Sequence, residues 1–168
     1  MKYLVFLLVS IFLACCSPVA TYPPIEVGSA VRFSNSSYEP VPTILVTTLE
    51  YSKEHFGGLE TTVFNLPKGM SHDTYAIVSS RVLDSTPMME AEQQAYHITE
   101  LRVRGLRAEA DVVFPSAGGT LETATLYLSK SLAHPWRVNR ERIWLIPVAT
   151  APSPNYEPQD QSVAIETE

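Results

Sequence analysis

The sequence predicts an α+β domain in which two helices pack on one face of a four- to five-stranded antiparallel sheet. Three observations carry that expectation. Helix start and stop signals are confined to the stretch between Val41 and Leu83. From Tyr96 onward the apolar period changes to two, as a pleated strand requires. The strand-like segments are joined by connections as short as Gly105, Ser116-Ala117-Gly118-Gly119 and His134-Pro135, which imply an antiparallel meander.

The first helix is expected over 41–56, with Pro42 in its first turn and Gly57-Gly58 after its last. Val41, Leu45, Leu49 and Phe56 can share one face, although the β-branched run through Thr43, Ile44, Val46, Thr47 and Thr48 also suits a strand. A short strand is bounded by Gly58 and Pro67 at 61–66. Ser71 is placed as the N-cap of a second helix running to about Leu83, with Asp73 in its first turn and Tyr75, Val78 and Val82 as its buried face. Met70 and Tyr75 are spaced as a hydrophobic staple.

Four strands follow, at 96–104, 106–114, 120–129 and 136–148. In the second, Ala108, Ala110, Val112 and Phe114 face one way and Arg107, Glu109, Asp111 and Val113 the other. In the last, Trp136, Val138, Arg140, Arg142 and Trp144 share a parity, so both tryptophans are expected on one face as structural residues. The two helices are expected to cover one sheet face.

The segments around this unit differ in composition. Lys2 precedes an apolar stretch from Tyr3 to Ala14, which Ser17 and Pro18 close short of the about 20 residues a spanning helix needs, so 1–14 is expected to be a signal peptide. Its end, Phe12-Leu13-Ala14-Cys15, resembles the lipobox of bacterial lipoproteins. The resemblance implies cleavage after Ala14, a lipid on Cys15, and outer-membrane sorting with the domain facing the periplasm, because no Asp follows Cys15. The alternative is an ordinary signal peptide and a secreted soluble chain. Cys16 fits less well as the acceptor. A Pro- and Ser-rich tether is expected over 15–40, a single domain over 41–149, and a disordered acidic tail over 150–168.

Charge and composition exclude several function classes. The chain carries 45% hydrophobic and 18% charged residues, in the range of folded domains. Its formal charge of -6 and pI near 5.2 argue against a nucleic-acid partner, because phosphate binding draws on clustered Lys and Arg. The only cysteines are Cys15 and Cys16, so the folded unit holds no disulfide, zinc-thiolate or cysteine nucleophile. His55, His72, His97 and His134 lie in separate elements without metal-ligand spacing, and no metal or other cofactor is expected. Ser71, His72 and Asp73 stand where a helix start wants polar residues, so capping is favoured over catalysis, and no catalytic residue is assigned. Gly118-Gly119 reads as a hairpin turn.

The most suggestive cluster is charged. Arg102, Arg104, Arg140 and Arg142 are the candidate anion-binding residues, because guanidinium groups on neighbouring strands can hold an acidic ligand bidentately. The plainer reading, which is favoured, pairs these arginines with Glu109, Asp111 and Glu122 across the sheet. The order of elements from 41 to 148 resembles the cone-shaped nuclear-transport-factor-like fold, from which the strand at 61–66 departs. Three functions follow as expectations: an envelope lipoprotein with a non-enzymatic domain that binds a protein or small ligand; an enzyme with a cone-like pocket using Asp111 or Glu109 and His97; or a structural envelope component.

Overall fold

The computed structural model describes residues 19–24, 35–57, 59–116 and 118–158; the expected leader, Cys15 and Cys16, residues 25–34 of the expected tether, and the end of the chain from 159 lie outside them. The architecture is α+β, with two helices and a seven-stranded, mostly antiparallel sheet. Helix α1 spans Val41–Phe56 and α2 spans His72–Arg81. The strands are β1 (Val19–Tyr22), β2 (Thr62–Asn65), β3 (Ser85–Pro87), β4 (Tyr96–Arg104), β5 (Arg107–Pro115), β6 (Leu121–Ser129) and β7 (Arg137–Val148).

Helix α1 accommodates its β-branched run because the hydroxyls of Thr47, Thr48 and Ser52 donate to the carbonyls of Thr43, Ile44 and Thr48, one turn back. Buried hydroxyls are thereby satisfied inside the helix. The helix stops at Gly57, whose φ of 60° suits a residue without Cβ. Helix α2 begins at Ser71, whose Oγ accepts from the Thr74 amide at 3.3 Å. Ser36 closes this cap from outside: its Oγ lies 2.6 Å from Thr74 Oγ1 and accepts from the Ser71 amide.

The sheet order is β3-β2-β4-β5-β6-β7, with β1 also pairing β4. Two of its strands were not expected, and the sheet is not wholly antiparallel. Strand β2 runs parallel to β3 and to β4, because α2 carries the chain over between β2 and β3 and a parallel pair needs such a crossover. Strand β3 is too short to show a period. Strand β1 pairs antiparallel with Leu101–Arg104, so this part of the expected tether is a sheet strand. The core joins Ile44, Leu45 and Leu49 of α1 and Tyr75 and Val78 of α2 to the inner sheet face of Leu101, Ala110, Val112, Ala124 and Leu126. Among the described residues no helix is long and apolar enough to cross a membrane.

Two further departures shape the outer face. Tyr127 pairs with Arg140 but Leu128 with Val138, so Asn139 is an extra residue in β7. A bulge flips side-chain parity. Trp136 and Val138 therefore point into the core, where Trp136 is 6% exposed, while Arg140, Arg142 and Trp144 stand on the opposite face. The expectation that both tryptophans share a face is thus corrected. Residues 150–158, expected to be mobile, pack as a strap: Asn65 Nδ2 donates to the Ser153 carbonyl at 2.8 Å, and the Asn155 amide donates to Asn65 Oδ1 at 2.9 Å. Asn155 Nδ2 also reaches the Leu66 carbonyl, and Tyr156 packs on Tyr75 and His72.

Candidate functional site

The outer sheet face carries the polar chemistry, and the strand registers order it. One rung runs Arg102, Glu109, Tyr127, Arg140 across β4 to β7, and the next runs Glu100, Asp111, Thr125, Arg142. Arg102 lies among three carboxylates, 2.9 Å from Glu100, 3.3 Å from Glu109 and 2.8 Å from Asp111. Burial works against its charge, but hydrogen bonds to Asp111 and Glu100 and their negative charges outweigh that and raise its pKa above the ordinary guanidinium value. Asp111 Oδ1 also accepts from Thr125 Oγ1 at 2.6 Å, and Thr125 Oγ1 in turn accepts from Trp144 Nε1 at 3.0 Å. The indole is thereby tied through Thr125 to the carboxylate cluster.

These groups border an open cleft of about 480 Å³, lined by Thr99, Arg102, Glu109, Asp111, Thr125, Tyr127, Trp144 and Ile146 among others. That size suits a small ligand. Of the four candidate arginines, Arg102 alone is among the residues lining the cleft. Arg102 is held by the acids; Arg140 stacks on Tyr127 at 4.0 Å and Arg142 on Trp144 at 3.9 Å; Arg104 is exposed at the sheet end, opposite Arg107. Of the expected cross-strand ion pairs, those of Arg102 form, whereas among the described residues Arg104, Arg140 and Arg142 make none and Glu122 joins none.

His97 is also on the outer side of β4 but lies 1% exposed near the strap. Its Nδ1 lies 3.4 Å from Asn65 Nδ2, which can only donate, so the ring is an acceptor there. Burial pulls its pKa down to about 4. Tyr75 completes this cluster: its hydroxyl accepts from the Leu66 amide and donates to Asn65 Oδ1, and burial pushes its pKa up to about 12. Among the described residues no hydrogen bond or ion pair joins His97 to Asp111 or Glu109. A second cavity of about 600 Å³ lies between the strap and the start of α2, but the hydroxyl of Ser71 there is committed to the cap and His72 packs against Tyr156. Among the described residues no group of three His, Cys, Asp or Glu side chains is arranged to hold a metal ion.

Sequence reasoning missed Trp144 as a site residue because its parity was counted from Trp136 through a bulge. Asn139, a residue common in irregular backbone, was the available signal. Comparison with family models finds no match, and neither characterised proteins nor solved structures give one.

Proposed function

We propose that the protein is an exported envelope lipoprotein, anchored through a lipid on Cys15 at the outer membrane, whose periplasmic domain is a non-enzymatic binding module for a small polar ligand. The observation that supports the binding role is the cleft beside Trp144. Its carboxylates are already engaged by Arg102 and Thr125, which suits fixed recognition of a ligand. Lys2, the apolar run from Tyr3 to Ala14 and the Leu13-Ala14-Cys15 sequence support the anchor.

The anchor is tested by detergent partitioning and by the mass of the mature N-terminus, for wild type and Cys15→Ser. Acylation lost with Cys15→Ser is the expected result, and an unacylated, soluble wild type would refute it. The cleft is tested by titrating neutral saccharides, amino acids and polyamines against tryptophan fluorescence. A saturable change that disappears in both Trp144→Phe and Asp111→Asn is expected; a panel that leaves the emission unmoved counts against the binding role.

A further inference from the structure

The end of the sheet one rung beyond Arg102 and Glu109 carries a different charge pattern. Its last rung runs Val19, Arg104, Arg107, Ser129, Arg137 across β1, β4, β5, β6 and β7. Beyond it, the Gly105-Leu106 turn and the loop from Lys130 to Pro135 adjoin, with the Lys130 amide donating to the Leu106 carbonyl at 2.9 Å. Arg104, Arg107, Lys130 and Arg137 are all exposed, and among the described residues none has a carboxylate at ion-pair distance. The segments 101–108 and 128–138 contain no acid at all. Two leucines project from the same loops, Leu106 at 56% and Leu132 at 107% exposure. A rim of unpaired cations tipped by bare leucines stands out on a chain of net charge -6.

Strand β1 pairs its first residue, Val19, with Arg104, so the chain before it leaves from this rim. Cys15 is four residues earlier, and four residues of chain span at most about 14 Å.

We infer that this rim docks on an anionic phospholipid surface, with Arg104, Arg107, Lys130 and Arg137 among the headgroups and Leu106 and Leu132 at the acyl boundary. The inference rests on the lipoprotein reading for the nearness of the membrane, and on the charge of the rim for the choice of lipid. Each basic residue close to such a surface strengthens binding roughly fivefold. Docked this way, the strands rise from the bilayer and the cleft beside Trp144 stands clear of it.

The test reconstitutes the mature protein, purified from membranes, into vesicles of 30% phosphatidylglycerol in phosphatidylcholine and into phosphatidylcholine alone. With Cys16→Ser, a fluorophore is placed at Leu132→Cys or, at the far sheet end, at Ser116→Cys, and its quenching by shallow spin-labelled lipids is measured. Quenching at 132 but not at 116, present with phosphatidylglycerol and weakened by salt, is expected. The Arg104→Gln/Arg107→Gln/Lys130→Gln variant should return it to the phosphatidylcholine level with an unchanged melting temperature. Equal quenching at both positions, or no dependence on phosphatidylglycerol, would overturn the docking while leaving the anchor intact. If mass measurement shows no acyl group, the anchor falls, and the rim is judged by sedimentation with the same vesicles. There the triple variant should lose about a hundredfold in affinity, and an unchanged affinity would overturn the docking.

Discussion

Acidification should destabilise the domain through His97, and the size of the effect follows from its burial. The ring is 1% exposed, accepts at Nδ1 from Asn65, and has its pKa pulled from 6.5 to about 4. The unfolded chain therefore binds a proton that the folded one refuses, so stability is full above about pH 6.5 and is lost as pH falls towards 4, levelling off below it. Worked from those two values, the penalty is about 2 kcal/mol at pH 5 and about 3 kcal/mol at pH 4. Urea unfolding of wild type and His97→Gln at pH 7, 5 and 4 isolates this contribution, because other titrating groups are common to both chains. The wild type should lose stability more steeply than the variant by about those amounts. Parallel curves would show that the ring takes up a proton in place, and the account of a neutral histidine sealed near Asn65 would fail.

The two tryptophans should behave differently: Trp136→Ala should cost about 3 to 5 kcal/mol in urea unfolding as a core truncation, whereas Trp144→Ala should cost about 1 to 2 kcal/mol, for one hydrogen bond and one guanidinium stack. Equal costs would contradict the bulge at Asn139. Arg102→Ala should cost about 2 kcal/mol, between the values for exposed and buried ion pairs because the side chain is 28% exposed, and adding Asp111→Asn should recover part of that loss. A double variant that is additive in thermal melting would mean that the pair does not interact.

What the sequence made legible was local. Pro42 and Gly57 bracket α1, Ser71 caps α2, and Gly105 turns β4 into β5, each through a residue whose backbone or hydroxyl chemistry acts within one turn. The alternation of Ala108, Ala110, Val112 and Phe114 gave the inner face of β5 for the same reason. What stayed hidden depends on distant partners. Strands β1 and β3 are too short for a period and exist because β4 and β2 offer them an edge. The strap is ordered by Asn65, 88 positions from Ser153, and nothing in its Pro-rich composition announces that bond. For the four arginines expected as anion candidates, the strands were legible but not the neighbours. Register alone put Arg102 among acids and Arg140 and Arg142 on aromatic rings.

Charge is segregated along the strands, and that decides which arginines are free to meet a partner. Glu100, Glu109 and Asp111 lie inward of the last rung, where Arg102 engages all three. Those three acids share their two rungs with Arg102, Arg140 and Arg142, so the face inward of the rim is balanced in charge and the rim arginines keep their field, which at physiological salt reaches only about 8 Å. Such a field cannot steer a distant anion towards the cleft, but it is strong against a surface in contact. From Ser129 to Thr123, the partner of Trp144, β6 rises about 20 Å at ordinary strand spacing, more than twice that screening length, whereas Glu109 and Tyr127 on the near side of the cleft stand one rung, about 7 Å, from the rim. The indole end of the cleft is therefore screened from the rim, and its near side at Glu109 is not. Neutralising the rim should leave ligand contacts at Trp144 unchanged and shift the affinity of a charged ligand held near Glu109, and altering Asp111, two rungs inward, should leave the membrane contact unchanged.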